Sequence, residues 1–383
     1  MKTDLQQSFL ETYQQPAAAT YFSPGRVNLI GEHIDYNGGL VMPCAITFGT
    51  WLCLAPNNDQ VIRFKSLNFP EEKTFPIQPS YQKEGPEWYH YPLGIFNEIF
   101  KTKKIEQGLD LLFDGNIPIG SGLSSSASIE VVIAYALNDY FNLGFSKLEL
   151  VLMAKSVENN FIGVNSGVMD QFAVTFGEKE KAILLNCDTL EYKAVDCHPG
   201  DYALAIINTN KPRKLAESKY NERVAECQTA LQQLRQEVEI DYLCDLKAAQ
   251  FEQYKHLLTD PVILKRARHV ITENDRVNQA AKALSDNDFV AFGQLMYASH
   301  ESLQNDYEVS GQELDTIVAF CKDYEPVIGA RMTGAGFGGC AIAFLKKGME
   351  ADFTEKLTAY YEKSIGYAPS VYVSDIGGGA SVI

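Results

Sequence analysis

The chain has no excess of basic residues. Its 33 lysines and arginines stand against 49 aspartates and glutamates, a net charge of −16 with a pI near 4.9. Proteins that track nucleic acid or an anionic membrane carry basic patches, so neither partner is expected. A phosphate ligand stays open, because backbone N–H groups can cradle an anion on an acidic protein. None of the eight cysteines forms a C-x-x-C pair and their spacing is irregular. A zinc site is therefore not expected, and the thiols read as small core residues in a reducing cytosol. No run of about eighteen apolar residues exists, so no membrane span is expected. The opening MKTDLQQSFLETYQQ reads as an amphipathic helix without the apolar stretch of a secretory signal. A cytoplasmic protein is the expectation. Low-complexity linkers and internal repeats are also missing, and no G-K-[ST] triplet occurs, which disfavours the P-loop NTPases.

What is present suits two domains. The chain is 383 residues long and 46% hydrophobic, enough for sizeable cores. β-branched and aromatic runs fill the first third: "TYFSPGRVNLIG", "GTWLCLAP", "QVIRFKS" and "GLDLLFDGNIP" predict strands. "EWYHYPLGIFNEIFK", "IEVVIAYALNDYF" and "KLELVLMAKSVENNF" have helical spacing. In the second of these, Ile129, Val132, Ile133, Ala136, Leu137 and Tyr140 fall on one face. From about residue 211 to 324 the chain is charged and helical, and it then returns to strands in "PVIGARMTGAGFGGCAIAFLK" and "SVYVSDIGGG". The predicted division is an N-terminal domain over residues 1–197 and a C-terminal domain over 198–383, with a soft boundary near 195–205.

Four stretches carry polar groups in unusual density. "GRVNLIGEHIDYNGG", residues 25–39, sets Arg26, Glu32, His33 and Asp35 beside an apolar run, and "YNGG" reads as a good hairpin turn. "PIGSGLSSSAS", residues 118–128, precedes a helix. Glycines there admit close backbone approach, serines offer donors and N-caps, and a helix N-terminus favours anions. The alternative is a Ser/Gly turn that merely caps the helix. "VENNFIGVNSGVMDQFAV" places Glu158 near a helix end and Asp170 at a new helix start, where a carboxylate is either functional or an ordinary first-turn cap. "TGAGFGG" satisfies G-x-G-x-x-G through Gly334, Gly336 and Gly339, but "CAIAFLK" after it reads as a strand. Two strands joined by a glycine turn fit better than a dinucleotide fold, whose fingerprint opens a helix.

Together these motifs resemble the GHMP kinase superfamily and, within it, the galactokinases. "GRVNLIGEHIDYNGG" is similar to the galactokinase signature, "PIGSGLSSSAS" to the superfamily's ATP loop and "MTGAGFGGCAIAF" to its third motif; "GVMDQFA" and "SHESLQNDYEVSGQELD" add to the likeness. The resemblance implies an α+β fold of two domains with the active site in the cleft between them. It implies transfer of the γ-phosphoryl group of ATP to the anomeric hydroxyl of α-D-galactose, with Mg²⁺ and without an obligate protein partner. Asp170 matches the family's catalytic aspartate and Arg26 its arginine partner. Glu32, His33, Asp35, Gly167 and Tyr220 match sugar contacts, where carboxylates accept from hydroxyl donors. Gly120, Ser121, Gly122, Leu123, Ser124, Ser125 and Ser126 match the phosphate loop; Ser66 and Trp88 match nucleotide contacts; Ser126 and Glu158 match magnesium positions. A kinase for another sugar, such as N-acetylgalactosamine or arabinose, and a non-catalytic galactose sensor are the alternatives. The intact loop and Asp170 speak against the sensor.

Overall fold

The β-branched runs pair into three sheets in a computed structural model that describes residues 2–118, 120–164, 166–211 and 216–383. Met1, Ile119 in the expected phosphate loop, Asn165 in the stretch between Glu158 and Asp170, and residues 212–215 in the expected helical stretch lie outside the described residues. The strands of the first third are Ala19–Asn28 (β1), Leu40–Val41 (β2), Pro43–Asn57 (β3), Val61–Ser66 (β4), Lys73–Pro76 (β5) and Gly108–Gly115 (β6). Lys181–Asn186 (β7), Tyr192–Asp196 (β8) and Tyr202–Asn208 (β9) follow, then Val327–Thr333 (β10), Cys340–Lys346 (β11), Ser370–Ser374 (β12) and Ser381–Val382 (β13). A six-stranded sheet has the order β13-β1-β3-β6-β4-β5, a four-stranded sheet the order β10-β11-β9-β12, and a three-stranded sheet the order β2-β7-β8. Among the described residues only β4 and β6 pair in parallel. The strands are thus mainly antiparallel with helices packed on them, the α+β class expected.

"TGAGFGG" joins β10 to β11, which pair antiparallel from Thr333↔Cys340 outward. It is a hairpin turn and not the opening of a helix. "YNGG", by contrast, does not make a tight hairpin. β1 pairs with β3 up to Asn28↔Pro43, and the chain between them swings out over residues 29–42. Within that excursion Asp35–Asn37 form one 3₁₀ turn, closed by Gly38 at φ 72°. The two-residue hairpin signal fails because β2 turns away to pair with β7.

The helix Ser125–Tyr140 also differs from a one-faced amphipathic helix. Ala127, Glu130, Val131 and Ala134 are buried together with Val132, Ile133, Ala136 and Leu137 of the predicted face, while Ile129 and Tyr140 are half-buried, since the helix runs between the six-stranded sheet and three neighbouring helices. Two cores result. One, around Leu52, Phe64, Phe96, Phe113, Val132 and Leu137, fills the N-terminal layers. The other mixes both halves of the chain, with Val27, Leu29, Ile30 and Leu123 packed among Ile206, Val277 and Met332. Six of the eight cysteines are buried in the core that mixes both halves, and Cys53 is buried in a smaller cluster with Leu5 and Phe9. Among the described residues no helix is long and apolar enough to cross a membrane.

Candidate active site

A bulge sets the first catalytic candidate. The pairing of β1 with β3 shifts register between Pro24 and Arg26. A bulge bends its strand and re-aims a side chain. Gly25 sits in it because a Cβ there would stand 2.6 Å from the carbonyl oxygen of Leu123. The backbone N–H of Arg26 instead donates to that same oxygen at 3.2 Å. The guanidinium then splits its bonds: Nη1 donates to the Gly122 carbonyl at 2.9 Å, while Nε and Nη2 grip Asp170 at 2.8 and 2.7 Å. A bidentate arginine–carboxylate pair has fixed direction as well as charge, which lysine could not reproduce.

Asp170 lies in the first turn of the helix Met169–Phe176 but does not cap it. Its third donor is the Ser124 hydroxyl, at 2.5 Å. Ser124 stands at φ 63° and likewise makes no cap bond to the helix Ser125–Tyr140. The serine therefore departs from its expected capping role. A non-glycine residue in this left-handed region is strained by about 1–3 kcal/mol, and among the described residues the Ser124 side chain gives no bond to the N–H groups that open a 16-residue helix. Such an end attracts anions.

Ser124 links the linings of two cavities, since its partner Asp170 lines one and its chain neighbour Ser125 lines the other. One, of 240 Å³, is lined by Arg26, Glu32, His33, Asp35, Gly167, Asp170, Tyr220 and the glycine turn at Gly334. The other, of 190 Å³, is lined by Ser66, Asn68, Phe69, Trp88, Tyr91, Phe113, Ser125, Ser126 and Ile129. All five residues expected at a sugar thus share one cavity, and Ser66 and Trp88 share the other with the start of the phosphate-loop helix. Trp88 both belongs to the core and walls the second cavity, near-parallel to Phe69 at 6.3 Å and 17°. Its Nε1 donates to the Glu71 carbonyl at 3.2 Å. Ser66 Oγ accepts from the Asn68 N–H at 3.1 Å. Within the loop, Ser121 Oγ donates to the Pro118 carbonyl at 2.7 Å.

The first cavity is unusually polar for its depth. Glu32 is 3% exposed; burial pushes its carboxyl up, opposed by Arg331, by the Asn28 amide and by the Gly334 N–H at 2.5 Å. Asp35 rises to about 6, first through burial and then through its neighbour Glu32. Burial drives His33 down to about 3, so its ring is neutral. Its Nε2 lies 3.1 Å from the Ala335 carbonyl, which can only accept, so Nε2 carries the proton. Nδ1 then accepts from Tyr36 at 2.9 Å, Tyr36 from Tyr307 at 2.7 Å, and Tyr307 from the Cys227 thiol at 3.1 Å. Both ring nitrogens are thereby engaged, and His33 presents its ring, tilted against Tyr220 at 5.4 Å. Gly167 is small because a Cβ would meet an Asp35 carboxyl oxygen at 3.3 Å.

Known proteins are similar to this chain over nearly its whole length. The family description "Galactokinase galactose-binding signature" matches residues 7–56, "GHMP kinases N terminal domain" residues 90–178 and "GHMP kinases C terminal" residues 280–363. The chain is 48% identical over 383 residues to the galactokinase of Enterococcus faecalis, covering 99% of each protein. The chain belongs to the galactokinase family of GHMP kinases. It is also 47% identical to the galactokinase of Staphylococcus carnosus, across 100% of both chains. The crystal structure of the Lactococcus lactis galactokinase complexed with galactose superposes with a TM-score of 0.92 at 43% identity, covering 99% of both. The Methanococcus jannaschii mevalonate kinase, at TM-score 0.67 and 19% identity, shares the fold.

Kinases of this family use ATP with Mg²⁺, and the donors present fit such a cation. Glu158 lies in a single π-helical turn, Val157–Ile162. Its Oε2 takes bonds from the Ser166 hydroxyl at 2.6 Å and the Gln171 amide at 2.8 Å, which leaves Oε1 for a further partner. Among the described residues no group of three or more His, Cys, Asp or Glu could cage a metal. One carboxylate plus the Ser126 hydroxyl suits a magnesium ion that keeps waters and phosphate oxygens in its shell.

Several groups around the site escaped sequence reasoning. Asn28, Gln171, Arg331 and the Tyr36–Tyr307 pair support the expected residues. Glu130 is fully buried one turn after Ser126, and neither carboxyl oxygen has a hydrogen-bond partner among the described residues. Burial, followed by the charge of Glu158, pushes its carboxyl well above the usual carboxylate range. The signal available for Glu130 was its place among "IEVVIAYAL", a charge in an otherwise apolar helix.

Proposed function

We propose that Asp170 and Arg26 carry out the galactokinase reaction where the linings of the two cavities are linked: the γ-phosphoryl group of ATP moves to the anomeric hydroxyl of α-D-galactose, giving galactose 1-phosphate and ADP, the first committed step of galactose catabolism. The observation that carries this assignment is the Asp170 carboxylate, gripped by Arg26 and Ser124 and facing the polar cavity beside the helix end.

Glu32, Asp35, Gly167 and Tyr220 bind the sugar in this reading, with His33 holding the glycine turn in place. Ser66 and Trp88 flank the base of ATP, and Gly120 to Ser126 wrap its phosphates. Asp170 accepts or orients the proton of the sugar hydroxyl, whose oxygen forms the new bond to phosphorus as the bond to the ADP oxygen breaks. Phosphoryl transfer passes through a loose transition state, so positioning and charge count for more than full deprotonation. Ser126 and Glu158 would hold Mg²⁺ with ATP, and the ion would neutralise phosphate charge when bound. The mechanism needs no protein partner. A cytoplasmic location belongs to the same proposal, since it supplies ATP and keeps buried thiols reduced.

The test is ADP release by the purified protein with Mg-ATP and, in parallel, galactose, glucose, N-acetylgalactosamine and arabinose. Turnover is expected with galactose, with kcat falling roughly 10³-fold or more in Asp170→Asn. Preference for another sugar would move the substrate while keeping the mechanism. Tight galactose binding without turnover would overturn the enzyme reading in favour of a sensor.

A further inference from the structure

Arg331 is a buried cation with too few bonds. Its side chain is fully buried, and its one hydrogen bond runs from Nη1 to the Asn28 carbonyl at 3.2 Å. Nε and Nη2 have no partner among the described residues. A buried guanidinium in that condition is costly, and an apolar side chain of similar length would be cheaper. The charge is therefore retained for what it faces.

It faces two carboxylates. Nη2 lies 3.9 Å from Oε1 of Glu273, and Nη1 lies 3.6 Å from Oε1 of Glu32. Both separations exceed hydrogen-bond reach, so the coupling is one of charge. Glu273 is already well served. Arg276 Nε donates to its Oε2 at 2.6 Å, and Ser299 and the Gly31 N–H donate to its Oε1. Burial alone would raise its carboxyl, but Arg276 and its other neighbours hold it down at about 2. Among the described residues Glu32 has no second cation in contact. Its bonds come from two neutral donors, the Asn28 amide and the Gly334 N–H, and it is the acid that lines the first cavity.

We infer that Arg331 is a positioning residue for sugar recognition: its charge, buried behind the cavity, keeps Glu32 an acceptor and aims it at the sugar hydroxyls. The connection is short in the chain as well as in space. Arg331 lies three residues before Gly334, and Thr333 Oγ1 both accepts from the Asn28 N–H at 3.1 Å and donates to the Asn28 carbonyl at 2.9 Å. The strand that carries Arg331 is thereby clamped to the strand that leads to Glu32. This inference rests on the assignment of Glu32 to the sugar.

A double-mutant cycle tests it: Arg331→Met, Glu32→Gln and the pair, with KM for galactose, KM for ATP and kcat measured for each. Arg331→Met is expected to raise KM for galactose about 10- to 100-fold, less than the direct loss of a buried charge pair because the cation acts on the sugar only through Glu32, with KM for ATP unchanged. In the Glu32→Gln background the same change should add about twofold at most, because a neutral side chain no longer needs the cation. Arg331→Lys, which keeps the charge and is the safer variant to fold, should restore most of the sugar affinity. Equal loss for both substrates, or losses that multiply in the double mutant, would overturn the inference and make Arg331 structural. If Glu32→Gln alone leaves KM for galactose unchanged, the sugar assignment of Glu32 falls, and the inference with it.

Discussion

At the residue scale the site is controlled by which carboxyls hold a charge. Asp35 titrates near 6 because it is buried beside Glu32, with its own and the Tyr36 N–H groups as partial compensation and Asp170 adding to the rise. A carboxyl raised above its unfolded value contributes stability that is complete at acid pH and is lost as pH rises through about 6. Acidification therefore does not unfold the protein through Asp35; it silences an acceptor in the sugar cavity. The prediction is an acid limb in kcat/KM for galactose, falling about tenfold per pH unit below pH ~6, because kcat/KM reports groups of the free enzyme. Asp35→Asn should show a low, flat profile over that range, while KM for ATP stays constant in both proteins. An unchanged limb in Asp35→Asn would assign the titration to another group. Ser124 is the second residue where local cost and chemistry coincide. Its left-handed backbone turns the hydroxyl to Asp170 and withholds it from the helix end, two effects that an ordinary capping serine could not produce.

At the scale of elements, the bulge in β1 and the glycine turn between β10 and β11 bring distant motifs together. Gly25→Ala is predicted to push the loop at Leu123 and the bulge apart, since both atoms in the clash are held by backbone. The expected outcome is a loss of about 1–3 kcal/mol in stability with a larger loss in kcat, about 10- to 100-fold, as Arg26 shifts relative to Asp170. Calorimetry and steady-state kinetics on one preparation check this, and unchanged kcat would remove the bulge from the mechanism. These elements also mark what could be read in advance. Strands such as Pro43–Asn57 and the helix Met169–Phe176 were legible because local pattern and tertiary burial agree there. The strand after "TGAGFGG" was legible for the same reason, and it removed the dinucleotide alternative. "YNGG" misled because tertiary pairing with β7 outweighed a local turn preference. Arg331 and Gln171 left no local sign, because their roles depend on partners 299 and 13 positions away, Glu32 and Glu158. Motifs expose residues that meet a ligand, whereas the groups that hold those residues are fixed by packing.

At the scale of the whole molecule, the expected division near residue 197 cuts through shared structure. The core around Val27, Leu29, Ile30 and Leu123 continues into Ile206, Val277 and Met332. The last strand, β13, crosses back to pair with β1, and Ile376 bridges to Ile46. Glu32 is held from the far side by Arg331 and Gly334. Removing residues 198–383 would strip β1 of its edge partner and leave apolar residues of the sugar motif in water, at about 25 cal/mol per Å² of apolar surface uncovered. The two halves are therefore predicted to unfold together. A calorimetric scan of the full chain should give one transition whose van't Hoff and calorimetric enthalpies agree, despite a length at which separate domains usually melt apart. Galactose at about 100 times its Kd should move that whole transition, adding about 2.7 kcal/mol, instead of sharpening one part of it. A fragment of residues 1–197 should fail to give a cooperative transition. Two resolved transitions, with only one responding to galactose, would show that the halves are autonomous and that the cleft is a junction between separate bodies.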